Sequence, residues 1–328
     1  MPLVTSSTHT PPFYLFNAHL QTIIPSLLRK VKGVNYRRER IQTPDGDFLD
    51  LDWSSTKSLA NTDKRSPKLA ILSHGLEGDS SRPYILGMVR ELNAQGWDAL
   101  AWNFRGCSGE TNHQLRFYHS GATDDLGLLV THALQSGQYT SIALIGFSLG
   151  GNLTLKYLGE KAKTLPHEIK RAVVFSVPLD LQACSTKLSE PGNVIYHRRF
   201  LKSLRQKIAI KVVNMPERLS LEAYQHVKTL QDFDEYYTAP LHGFLGAVDY
   251  YHRCSAKNFL STIAIPTLIV NAQNDPFLPA ECYAEDLVKD LPEVFLEIPE
   301  KGGHCGFFSK TLHGTYWSEE RALQFISA

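Results

Sequence analysis

Residues 141–160 leave this chain few ways to fold. An apolar run, Ser141-Ile-Ala-Leu-Ile145, passes into Gly146-Phe147-Ser148-Leu149-Gly150 and then into a helix-forming stretch ending at Glu160. The form G-x-S-x-G between a strand and a helix is a sharp turn. It holds a serine in a strained backbone conformation, with Oγ clear of the sheet, and side chains two positions before or after would collide. Gly151 adds room where the helix packs near the sheet. Ser148 is the candidate nucleophile.

A strand that feeds a helix in this way belongs to a strand–helix alternation, and the chain carries one. Residues 38–43 and 48–53 alternate apolar and polar side chains around Pro44-Asp45-Gly46, which predicts a β-hairpin. Apolar runs over 68–73, 98–103, 141–145, 171–177, 266–272 and 294–298 predict strands. Helices are expected over 82–95, from near Thr123 with Asp124 and Asp125 in the first turn, and over 149–160, 281–289 and 316–326. Residues 61–67 read as a polar loop. Such alternation means βαβ crossovers and a mostly parallel sheet. From about 178 to 258 the rhythm breaks into several helices, expected as a cap over the sheet's C-terminal edge, where ligands bind in open α/β sheets. The expectation is one α/β domain over 1–328: a mostly parallel central sheet, helices on both faces, an N-terminal arm over about 1–35 and the helical cap insert.

A serine hydroxyl is a weak nucleophile and needs a base, itself oriented by an acid. On this kind of turn the order along the chain is Ser, Asp or Glu, then His. Asp275, directly after strand 266–272 and pinned by Pro276, is the candidate acid, and Asp180 is the second choice. His304, in Gly302-Gly303-His304-Cys305-Gly306 just after strand 294–298, is the candidate base; glycines there suit a loop that comes close to another backbone. His132, His167, His226 and His252 read as surface or packing residues. Two backbone N–H groups must face the oxyanion of a tetrahedral intermediate. One is expected from Leu149 and the other from Leu76, in His74-Gly75-Leu76-Glu77-Gly78, with His74 holding that loop.

Composition excludes other classes. Lys plus Arg number 34 against 33 Asp plus Glu, without the basic excess of a nucleic-acid binder. Cys107, Cys184, Cys254, Cys282 and Cys305 are widely spaced with no CxxC pair, which argues against a disulfide framework or a zinc knuckle and for a reducing, cytoplasmic setting. No metal or cofactor is expected. Residues 1–12 lack the pattern of a secretory signal. Residues 13–28 are apolar but interrupted by Asn17, His19, Gln21, Thr22 and Pro25, too short and polar to span a bilayer. They read as a packing arm, with an interfacial membrane contact helped by Arg29, Lys30 and Lys32 as the alternative. Composition leaves oligomeric state open.

Seven segments together resemble the YheT-like branch of the α/β-hydrolases over nearly the whole chain. They are Asn17 to Ile23, His74 to Gly78, Asn103 to Gly109, Tyr118 to Asp125, Gly146 to Asn152, Asn271 to Phe277 and Gly302 to Phe307. The resemblance implies an α/β-hydrolase fold and a carboxylesterase, with related members assigned to acylglycerol or phospholipid ester hydrolysis. It also implies a triad on Ser148, Asp275 and His304, where the residues alone had put it. The reading is a serine hydrolase cleaving small-molecule or lipid carboxylic esters through an acyl-enzyme. A lipid acyltransferase or lipase is the alternative; His119 and Asp124 have the H-x-x-x-x-D spacing of an acyltransferase signature, but this reads as a coincidence, because Asp124 and Asp125 fit a helix N-terminus. A non-catalytic binding module is a further alternative, disfavoured by three filled triad positions. Tyr196, Phe200, Tyr224 and Tyr237 are expected to shape the pocket, and Cys107 and Cys305 to flank it.

Overall fold

The computed structural model describes residues 3–4, 6–56, 66–309 and 311–328; most of the loop expected at 61–67 lies outside the described residues. Among the described residues nine strands form one sheet: β1 (Leu3–Val4), β2 (Arg37–Gln42), β3 (Phe48–Ser54), β4 (Lys68–Ser73), β5 (Asp98–Asn103), β6 (Ser141–Phe147), β7 (Ile169–Phe175), β8 (Thr267–Val270) and β9 (Val294–Glu297). Their order is β1-β9-β8-β7-β6-β4-β5-β3-β2. The ladder is parallel from β1 to β5 and antiparallel through β3 to β2.

The central strands are buried on both faces, so they read as continuous apolar runs rather than alternating ones. The period of two still sorts their side chains. Leu69 and Ile71 of β4 join the core under helices Thr123–Gln135 and Leu149–Lys161, whereas Ala70 and Leu72 join the core under Pro83–Ala94 and Trp317–Ile326. At the β2 edge the pattern does alternate. Arg38 faces Asp52 and Arg40 faces Asp50 in register, each through two charge-assisted hydrogen bonds of 2.7–2.8 Å.

Between β7 and β8 the chain runs through helices Leu181–Leu188, Val194–Asn214, Leu230–Phe233, Ala239–His242 and Ala247–Cys254, with a π-helical turn at Asp234–Thr238. Residues of this insert line the same cavities as Ser148 and His304.

Two local expectations change. Residues 281–289 form only short turns, Ala280–Cys282 and Glu285–Val288, because Tyr283 between them reaches back to donate to the Ala272 carbonyl at 2.8 Å. The N-terminal segment contributes strand β1 as well as helix Ala18–Leu28, which Asn17 caps by accepting from Leu20 N–H. Arg29, offered above as a membrane contact, is instead buried: it pairs with Glu319 and lies over the Tyr316 ring. Among the described residues, no helix is long and apolar enough to cross a membrane.

Candidate active site

Ser148 sits between β6 and helix Leu149–Lys161 at φ +51°, ψ −121°, a conformation that L residues rarely adopt. The glycines around it are sterically required. A Cβ on Gly146 would lie 2.6 Å from the Gly150 carbonyl oxygen, and one on Gly150 would lie 2.5 Å from that of His74.

The three residues at the ends of β6, β8 and β9 meet. His304 Nε2 is 2.9 Å from Ser148 Oγ, and His304 Nδ1 is 2.9 Å and 3.1 Å from the two carboxylate oxygens of Asp275. Asp275 is buried and also accepts from Phe277 N–H, while the Phe277 ring packs on the imidazole at 4.2 Å. Burial pulls the His304 pKa down, but the adjacent Asp275 charge reverses this and leaves it raised. Asp180 stands apart: it caps helix Leu181–Leu188 through Ala183 N–H and pairs with Lys257.

What holds these loops went unread in the sequence. Gln21 Oε1 accepts from both Asn274 Nδ2 and Gly302 N–H at 2.9 Å, and Thr22 Oγ1 accepts from His304 N–H at 2.9 Å. Helix Ala18–Leu28 therefore pins the acid loop and the base loop together. Gly303, at φ +60°, lets the base loop approach: a Cβ there would lie 2.9 Å from the Gln21 backbone. The available signal was the pair of polar residues, Gln21 and Thr22, breaking an apolar helix.

The loop after β4 is braced from several sides. His74 accepts from Phe104 N–H through Nε2 and donates through Nδ1 to the Gly75 carbonyl; burial lowers its pKa to about 4, so it stays neutral. Glu77, at φ +54°, donates its N–H to the Tyr118 hydroxyl and accepts the Tyr118 proton on its carboxylate at 2.6 Å. Burial would raise the Glu77 pKa, but Lys207 at 2.8 Å lowers it and keeps the group ionised. Leu76 and Leu149 both lie beside Ser148 in the cavity lining.

Two cavities meet at Leu76, Ser148, Phe277 and His304. One, of about 120 Å³, has mostly apolar walls that include Leu181, Leu188, Leu204 and Phe233. The other, of about 280 Å³, is more polar and includes Arg82, Tyr84, Tyr196, Arg199 and Phe200. Tyr224 and Tyr237, expected in the pocket, line neither; their hydroxyls donate to the carbonyls of Leu201 and Ser220 inside the insert. Cys305 lines the wider cavity, but Cys107 lines neither and lies 2.9 Å from Lys207 Nζ. His119 and Asp124 are held apart in role: Asp124 bonds Arg116 at the exposed start of its helix, while His119 faces the narrower cavity. Among the described residues, no group of three or more His, Cys, Asp or Glu side chains could hold a metal ion.

The family model described as alpha/beta hydrolase fold matches residues 70–311. Over 315 residues the chain is 37% identical to the candidate esterase YheT of Escherichia coli (strain K12), spanning 95% of this chain and 90% of that protein. It is 31% identical over 308 residues to Phospholipase ABHD3 of Mus musculus, spanning 93% of this chain and 74% of that one. The solved structure of the Pyrococcus furiosus esterase Pf2001 superposes with a TM-score of 0.56 over 98% of both chains at 17% identity, a likeness of fold.

Proposed function

Because the chain belongs to the α/β-hydrolase fold family, in its YheT-like branch, we propose that it is a serine hydrolase that cleaves carboxylic esters through an acyl-enzyme on Ser148. The observation that carries this reading is the His304 ring bridging Ser148 Oγ through Nε2 at 2.9 Å and the Asp275 carboxylate through Nδ1 at 2.9 Å and 3.1 Å. The names of the two relatives, a candidate esterase and a phospholipase, both describe ester cleavage, so lipid esters fall within the proposal.

His304 Nε2 takes the Ser148 proton as Oγ attacks the ester carbonyl. Asp275 holds the imidazole in the tautomer with its proton on Nδ1 and stabilises the charged form that follows. The carbonyl oxygen becomes an oxyanion, received by the N–H groups of Leu149 and Leu76. Collapse expels the alcohol, which takes the proton from His304. Water, deprotonated by the same imidazole, then releases the acid. The acyl group occupies the narrower, mostly apolar cavity and the alcohol the wider one. Residues 178–258 act as the cap over both, and residues 1–35 as an arm that buttresses the loops.

Hydrolysis of a p-nitrophenyl ester series from acetate to palmitate, by the wild type and by Ser148→Ala, tests the proposal. Turnover peaking at one chain length and lost in the variant is expected. No turnover at any length, or equal turnover in the variant, would overturn it.

A further inference from the structure

The narrower cavity is not apolar throughout. Besides Ser148 and His304, its lining includes a polar corner built around Asp234 and His119, neither of which bonds to the triad residues. Asp234, in the insert, is half-buried and lines the cavity. Its two carboxylate oxygens accept from Thr238 Oγ1 at 2.6 Å and from the Tyr251 hydroxyl at 2.7 Å. No described lysine or arginine lies within ion-pair distance of it. A carboxylate offers about four acceptor positions, so Asp234 has capacity left over. It also opens the π-helical turn Asp234–Thr238, a rare element found frequently at functional sites. Burial raises its pKa to about 6, which leaves it largely ionised at neutral pH.

His119 supplies the complement. Its Nδ1 accepts from Gly121 N–H at 3.1 Å, which puts the ring proton on Nε2. Burial, reinforced by His242, keeps the ring neutral. Among the described residues nothing accepts from Nε2. Both residues line the one cavity, and a chain of contacts runs between them: the His119 ring packs on His242 at 4.5 Å, and His242 Nδ1 lies 2.7 Å from the carbonyl of Thr238, the residue that bonds Asp234.

The corner thus presents an ionised acceptor with spare capacity and a donor without an acceptor. An alkyl terminus would leave both unpaired. An ammonium would meet Asp234 but set N–H against the N–H of His119, and a carboxylate would meet His119 but repel Asp234. A hydroxyl suits either group, donating to Asp234 or accepting from His119. We propose that this corner is a hydroxyl-binding subsite and that the preferred acyl group carries a hydroxyl along its chain or at its end. The inference rests on the ester-cleavage reading and adds its substrate class.

The test compares kcat/KM for p-nitrophenyl esters of straight-chain acids, from butyrate to decanoate, with that for the ω-hydroxy counterpart of each. At one length the wild type should favour the hydroxy ester by about tenfold or more. The ratio at that length should fall toward unity in Asp234→Asn. Should melting show that variant to be unfolded, His119→Phe carries the same comparison, since it keeps the ring packing on Phe244 and Tyr250. Plain esters cleaved with no hydroxyl preference at any length would overturn the subsite and leave the esterase reading standing. So would a preference unchanged in both variants. Failure to cleave esters of either kind would overturn both.

Discussion

The Glu77 carboxylate lies 2.8 Å from the Lys207 ammonium, and through that ion pair the loop presenting Leu76 is fastened to helix Val194–Asn214 of the insert. The Ser203 hydroxyl, from the same helix, and the Tyr118 hydroxyl complete the carboxylate's bonds. Lys207→Met would strand a buried anion, at a cost of about 3 kcal/mol in folding stability. It would also loosen the loop carrying Leu76, the proposed oxyanion donor, so kcat should fall roughly tenfold, a fraction of what outright loss of an oxyanion donor costs. KM should move little. Glu77→Gln combined with Lys207→Met should recover part of the lost stability, because the stranded charge is gone. Denaturant titration of the two single variants and the double checks this; strictly additive losses would mean the pair is not coupled.

The pH profile has a definite sign. His304 must be neutral to accept the Ser148 proton. Burial would lower its pKa, but the Asp275 charge reverses that and raises it above the ordinary value of 6.5. The acid limb of kcat/KM should therefore lie above the range of a free imidazole. Asp275→Asn should move that limb to lower pH while kcat falls by about 10⁴-fold. Stability follows the same linkage. The raised folded pKa contributes stability fully present below the unfolded value and lost as pH rises through the folded one. A limb that stays put in Asp275→Asn would sink the assignment of Asp275 as the orienting charge.

Much of this was legible because it is local. Strands β4, β5 and β6 are buried on both faces, so each appears as a short apolar run between loop residues. Ser148 follows β6 directly, and Asp275 and His304 lie in the loops that follow β8 and β9, at the sheet's C-terminal edge. The rest depends on partners far away in the chain. Strand β1 is two residues long and pairs with β9, too short to show a period. Gln21 bonds Gly302, 281 positions on, and nothing nearby in sequence requires it. Tyr224 and Tyr237 looked like pocket residues by type, but helix packing inside the insert turned their hydroxyls to backbone carbonyls. Asp234 and His119 likewise come to line one cavity only in the folded chain.

Thiol chemistry should separate two cysteines that looked equivalent in the sequence. Cys305 lines the wider cavity next to His304. The Cys107 thiol is pushed up to about 11 by burial, despite Lys207 beside it, and so is almost never the reactive thiolate at neutral pH. Inactivation by N-ethylmaleimide should follow modification of Cys305, with Cys305→Ser resistant and Cys107→Ser as sensitive as the wild type. Mass spectrometry of the partly inactivated enzyme identifies the modified residue. Preferential labelling of Cys107 would contradict this reading of the two environments.

The N-terminal helix should matter for turnover as well as for folding. Gln21 accepts from Gly302 N–H and Asn274 Nδ2, so one side chain sets the distance between the loop carrying His304 and the loop carrying Asp275. Thr22 fixes the His304 backbone itself. Removing either acceptor leaves buried N–H groups unpaired and lets the loops relax independently. A displacement of about 1 Å between reacting groups can cost on the order of 10²-fold in rate. Gln21→Ala and Thr22→Val should therefore lower kcat by roughly 10- to 100-fold with smaller changes in KM. Thr22→Ser keeps the hydroxyl and should restore most of the rate. A helix that served only as packing would respond differently: Thr22→Ser and Thr22→Val would then both retain wild-type kcat, and any loss would appear in melting temperature alone. Steady-state kinetics beside thermal melts of the three variants decides between the two, because an acceptor that positions His304 must show its effect in kcat while the protein is still folded.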